Sequence, residues 1–110
     1  MGVVVVRYKT KADRADENQA LVEKVFGELK AANPAGLRYA TFRLADGVTF
    51  VHVASIETDD GTNPLGATPA FAEFLEGINE RCDDGPAASD ATVVGSYRFW
   101  STGHGSEASE

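Results

Sequence analysis

An α+β fold, a four-stranded antiparallel sheet backed by two helices on one face, is predicted by three features of the sequence. Val3 to Val6 run without a polar interruption, and Phe50-Val51-His52-Val53-Ala54 nearly does the same. A sheet with one wet face alternates apolar and polar residues, so these two strands read as central and covered on both sides. The third feature is Asp46-Gly47 between two strand-like runs, a dipeptide suited to the positive backbone angles of a two-residue hairpin turn.

The first strand is predicted over about Gly2 to Thr10. Asp13 then caps a long helix, with Asp16 and Glu17 placing negative charge in its first turn, where the helix dipole favours it. Leu21, Val22, Val25, Phe26 and Leu29 form one apolar stripe, while Glu23, Lys24, Glu28 and Lys30 lie mostly off it. Asn33-Pro34-Ala35-Gly36 stops this helix, because proline cannot continue the hydrogen-bond ladder and glycine permits a reversal.

Two strands follow, about Leu37 to Ala45 and Val48 to Ile56. A two-residue turn at Asp46-Gly47 sets their register: Ala45 faces Val48, Arg43 faces Phe50, Thr41 faces His52 and Tyr39 faces Ala54. One face then carries Tyr39, Thr41, Arg43, Phe50 and His52. The other carries Ala40, Phe42, Leu44, Val51 and Val53; being smooth and apolar, it is assigned to the helices, and the mixed face is left for a partner subunit or a ligand.

Thr58 to Ala67 reads as an irregular acidic loop, after which Thr68 caps a second helix with Pro69 at its first position. Phe71, Phe74, Leu75, Ile78 and Cys82 keep helical spacing, and Asp83-Asp84-Gly85-Pro86 ends the segment. A last strand is predicted over about Ala91 to Trp100. Residues 1–100 thus form one domain, and 101–110, rich in Gly, Ser and Glu, a flexible polar tail. The order is that of a ferredoxin-like βαββαβ unit, in which right-handed crossovers put both helices on one face. The other face calls for a second copy of the chain.

Composition narrows the function. A net charge of -7 repels phosphate backbones and anionic membranes over roughly a Debye length, ~8 Å at physiological salt. Nucleic acid and membrane are therefore not expected as partners. The valine run is too short for a signal-peptide core or a membrane span, and a single cysteine, Cys82, cannot form an internal disulfide; both fit a cytoplasmic protein.

The run Phe50-Val51-His52-Val53-Ala54-Ser55-Ile56-Glu57, an acidic loop, and then Thr68-Pro69-Ala70-Phe71-Ala72-Glu73-Phe74-Leu75 resembles the dimeric α+β barrel superfamily, particularly its antibiotic-biosynthesis-monooxygenase-like branch. The resemblance spans about Gly2 to Trp100. It implies two sheets paired face to face in a homodimeric barrel. Some members oxidise aromatic polyketides or degrade haem, and many have no known activity. A tryptophan often ends the third strand of that branch and a histidine often lies near the second helix. Here Ile56 stands at the first place, and no histidine occurs between Glu57 and Cys82. Both departures argue against haem degradation and the usual quinone-forming chemistry.

His52 is the candidate acid or base, since imidazole titrates near neutral pH; the plainer reading is a neutral histidine hydrogen-bonded inside a subunit interface. Arg43, on the same predicted face, is the candidate for holding an anionic or enol oxygen, with a salt bridge across the dimer as its structural alternative; Arg38 falls on the opposite face. Tyr39, Thr41 and Phe50 are candidate ligand contacts, with Tyr97, Phe99 and Trp100 as further aromatic walls or ordinary packing. For Trp100, packing at a subunit rim is expected. The acidic loop lacks the ligand spacing of a calcium site, and His52, His104 and Cys82 lack that of a transition-metal site. Cys82, beside Asp83 and Asp84, reads as helix packing. No metal or cofactor is expected. Two functions follow: a homodimer that takes a small apolar or aromatic molecule as a cofactor-independent monooxygenase-like enzyme, or a non-catalytic small-molecule-binding or stress-associated dimer.

Overall fold

The computed structural model describes residues 2–99; Trp100, His104 and the tail predicted for 101–110 lie outside the described residues. Four strands, β1 (Gly2–Thr10), β2 (Leu37–Arg43), β3 (Thr49–Ile56) and β4 (Cys82–Ala91), form one antiparallel sheet in the order β2-β3-β1-β4. The chain is a ferredoxin-like α+β fold, and its two central strands are β1 and β3, the pair with the long apolar runs.

Helix α1 (Ala15–Ala32) buries Ala15, Asn18, Val22 and Val25, one stripe at helical spacing. Its start differs from the capping expected of Asp13, which lies in a 3-10 turn, Ala12–Arg14. The cap position falls on Arg14, whose Nε instead donates to Glu17 Oε1 at 2.6 Å. The end is as expected: Asn33 adopts the left-handed conformation (φ 49) and donates its N–H to Leu29 O, ahead of Pro34. Thr68 and Pro69 open α2 (Pro69–Leu75), but the Thr68 hydroxyl donates to Pro64 O within the 3-10 turn Pro64–Ala67. Glu28 of α1 supplies the missing acceptor, taking the Ala70 N–H at 2.9 Å, and Lys24 pairs with Glu73 at 2.6 Å. The two helices are thereby tied side by side.

Four sequence expectations are corrected. The second helix does not run to Cys82: it ends at Leu75, and a short α3 (Ile78–Arg81) follows after Gly77 in the left-handed conformation (φ 77). The last strand is Cys82–Ala91, not Ala91–Trp100. Its sequence gave no apolar alternation because it is an edge strand exposed at every residue but Cys82, held by backbone pairing to β1; Pro86 is tolerated at such an edge. The hairpin keeps the predicted register of Arg43 with Phe50, Thr41 with His52 and Tyr39 with Ala54, but its turn is longer. Leu44 and Thr49 close it, Gly47 alone takes positive φ, and the Asp46 carboxylate accepts the N–H groups of Val48 and Thr49 and the Thr49 hydroxyl.

The fourth correction concerns the faces. The helices cover the mixed face: Phe50 and His52 are buried with Tyr8, Val22, Val25, Phe74 and Ile78, and Tyr39 packs partly buried against them. The smooth face is the open one, with Val3 and Val5 beside Val53, and Val51 between Arg7 and Phe42. Size and shape decide this inversion. Aromatic rings and imidazole bridge the space beneath two helices, whereas short β-branched side chains make a flat surface. Past β4, Phe99 stacks on Phe42 with ring centroids 6.4 Å apart, so residues 92–99 reach from the β4 edge to β2. Val94 and Tyr97 stand 99% and 81% exposed, which is why the aromatic end of the chain cannot be the core strand its composition suggested.

Candidate functional site

Beneath the helices lies a cavity of about 150 Å³. Val6, Phe71 and Phe74 supply apolar walls, Asn63 and Pro86 enter from the loop and from β4, and Tyr8, Tyr39 and His52 form the polar edge. An apolar cavity of this order holds a single aromatic ring.

His52 sits at the centre of a polar chain built from five elements. Its Nε2 lies 2.7 Å from Tyr8 Oη, and its Nδ1 lies 2.6 Å from Tyr39 Oη and 3.1 Å from Thr41 Oγ1. Asn18 of α1 donates from Nδ2 to Tyr8 Oη at 2.9 Å. Arg81 of α3 donates from Nε to Asn18 Oδ1 at 3.1 Å, and from its two terminal nitrogens to Glu76 O and Phe74 O. The guanidinium also lies over the Phe74 ring, 5.4 Å from its centroid. It is only 2% exposed, and among the described residues no carboxylate forms an ion pair with it. Carbonyl oxygens and an aromatic face take the place of a counter-ion.

Burial sets the protonation states. His52, 6% exposed, has its pKa pushed down to about 4 by loss of water around the charged ring, so it is neutral at physiological pH. Burial also raises the pKa of Tyr8 and Tyr39, keeping both phenols protonated. The site is a chain of neutral hydroxyl, amide and imidazole groups with a cation at one end.

The candidate residues from the sequence divide here. His52 and Tyr39 line the cavity, and Thr41 touches His52 without lining it. Phe50, 1% exposed, stacks on Tyr8 with centroids 5.6 Å apart and is core rather than wall. Arg43 does not reach the cavity: its guanidinium donates to Gly47 O, Asp16 Oδ1 and Gln19 Oε1 and covers Phe50 from outside. Cys82 is buried in the core, and burial raises its thiol pKa.

Three members of the chain escaped sequence reasoning. Tyr8 was hidden at the end of the valine run, although its i, i+2 spacing from Val4 and Val6 puts it on their face. Asn18 carried a usable signal, being a polar residue at helical spacing within the buried stripe of Ala15, Val22 and Val25. Arg81 carried none, since its burial depends on the break between Leu75 and Ile78.

Among solved structures the chain has the fold of the antibiotic-biosynthesis-monooxygenase-like proteins. It is similar to Rv0793 from Mycobacterium tuberculosis, with TM-score 0.69 and 17% identity over 86% of this chain and 96% of that one. An antibiotic biosynthesis monooxygenase matches with TM-score 0.68 and 16% identity over 86% of this chain and 100% of its own. A variant of SnoaB, a cofactor-independent oxygenase from Streptomyces nogalater, matches with TM-score 0.63 and 15% identity over 86% and 94%. No protein-family model and no curated protein sequence matches the chain.

Proposed function

We propose that this chain binds a small, largely apolar or aromatic molecule in the cavity beneath its helices and works as a homodimer. The observation that carries the first half is the convergence of Tyr8, His52 and Tyr39 on one edge of an otherwise apolar cavity. The second half rests on the open face, where half-buried Val3, Val5, Val51 and Val53 adjoin exposed Phe42 and Leu44 in an apolar surface of the kind that marks an interaction site. Two such faces suit sheet-on-sheet packing about a two-fold axis.

The finer reading is a cofactor-independent oxygenase, supported by the shared fold with SnoaB and by the phenol and imidazole groups at the cavity. In it Tyr39 and His52, rather than Arg43, stabilise an enolate or phenolate, and the substrate's own carbanion reacts with dioxygen. A non-catalytic binding dimer is the second reading. The observation favouring it is that both ring nitrogens of His52 are already engaged by the protein's own hydroxyls.

Oxygen uptake across a panel of hydroxylated aromatic compounds separates the two. The oxygenase reading expects uptake that His52→Phe abolishes while the protein stays folded. Binding without uptake, or uptake unchanged in that variant, rejects the catalytic role.

A further inference from the structure

The polar chain through the core has a direction. Arginine is a donor at every nitrogen, so Asn18, bonded to Arg81 Nε through Oδ1, must present its amide N–H₂ to Tyr8. With that donor on its oxygen, the Tyr8 hydroxyl proton goes to the remaining neighbour, His52 Nε2. Were Nε2 to carry the hydrogen instead, the Tyr8 hydroxyl would receive two donors and its own buried proton would have no acceptor among the described residues. A neutral ring that accepts at Nε2 holds its hydrogen on Nδ1, where Tyr39 Oη and Thr41 Oγ1 accept it.

From this geometry we infer that Arg81 and Asn18 are positioning residues that hold His52 as the Nδ1–H tautomer and turn the Tyr39 hydroxyl into a hydrogen-bond donor facing the cavity. Tyr39 lines the cavity and accepts from the ring, and its hydrogen bond with Thr41 favours the phenolate, as a Thr41 hydroxyl donating to Tyr39 Oη does, so that Tyr39 keeps its own proton for a guest. The ligand class follows: a ring of benzene size bearing an oxygen acceptor, such as an aryl carbonyl. The ligand half rests on the cavity reading proposed above; the tautomer half does not.

Two measurements test the halves separately. Long-range ¹H–¹⁵N NMR at neutral pH reads the His52 tautomer without any ligand, and Nδ1–H is expected in the wild-type protein. Asn18→Asp supplies the informative variant. The new carboxylate accepts from Arg81 and from Tyr8 alike, so Tyr8 must then accept from the ring and the tautomer switches to Nε2–H. The placement beside buried Arg81 gives the carboxylate a counter-ion, which favours folding. An Nε2–H ring in the wild type, or an unchanged tautomer in Asn18→Asp, overturns the inference.

For the ligand half, acetophenone and ethylbenzene share a ring and a two-carbon substituent and differ in one carbonyl oxygen. NMR titration is expected to show acetophenone binding about 5- to 10-fold more tightly, the equivalent of one net hydrogen bond. Tyr39→Phe and Asn18→Asp both erase that preference while ethylbenzene binding persists. Equal affinity for the two probes in the wild type overturns the donor assignment alone. Binding of neither overturns the cavity reading and the ligand class with it.

Discussion

His52 shows how far a single residue's chemistry depends on what lies around it. As a sequence symbol it is a group that titrates near neutrality; in the fold it is a neutral ring with a pKa of about 4, held by three hydroxyls. The folded pKa lies below the ordinary histidine value of 6.5, so between the two values the unfolded chain binds a proton that the folded one does not. Stability from this group is therefore complete above about pH 6.5 and falls as pH drops toward 4, by about 3 kcal/mol over the window. Urea midpoints at pH 7 and pH 4.5 check this: the loss on acidification is expected to be smaller in His52→Phe than in the wild type, and equal losses would contradict it. The sequence pointed to His52 because imidazole titrates near neutral pH and the hairpin register set it mid-sheet beside Thr41 and near Tyr39. Asn18 and Arg81, which reach His52 only through Tyr8, were not recognised, because one lies within a helix and the other depends on a helix break visible only in three dimensions.

At the scale of elements, backbone-determined features were legible and packing-determined ones were not. The register of β2 against β3 was fixed correctly from Asp46-Gly47 although the turn itself is longer, since Leu44 and Thr49 close a loop of the same parity. Which face the helices cover was misassigned, because apolar smoothness suits a subunit interface as well as a core. The fourth strand was expected but placed at Ala91 to Trp100 instead of Cys82–Ala91, because its pairing with β1 needs only backbone groups. Two glycines test the local account. Gly36 (φ 80) and Gly47 (φ 79) share a left-handed backbone, so alanine costs about 1 kcal/mol at either site from conformation alone. At Gly36 an added Cβ would also stand 2.6 Å from Thr58 Cγ2, whereas at Gly47 it meets nothing within 4 Å. Gly36→Ala is thus expected to destabilise more than Gly47→Ala by about 1–3 kcal/mol in chemical denaturation, and equal effects would show that the Gly36–Thr58 contact is looser than described.

For the whole molecule, the two faces of the sheet have separate tasks. The helix-covered face holds the cavity and its polar chain, while the open face carries Phe42 at 41% and Leu44 at 37% exposure and is the face the proposed dimer would cover. The two runs of apolar residues at Val3 to Val6 and Phe50 to Ala54 pointed to two central strands, and β1 and β3 are central in the sheet. No described helix is long and apolar enough to cross a membrane. Because β1, β3 and β2 all contribute to the open face, a charge at its centre should separate the copies without touching the cavity residues. Val53→Glu, on β3 between Val5 and Ala40, is expected to convert a dimer to a monomer while leaving probe binding beneath the helices intact. Native mass spectrometry of the freshly purified wild-type protein tests the central claim most directly, because subunit number and any retained small molecule appear in one spectrum. The account predicts a dimer, with added mass when the cavity is filled; a strictly monomeric protein at micromolar concentration would contradict it.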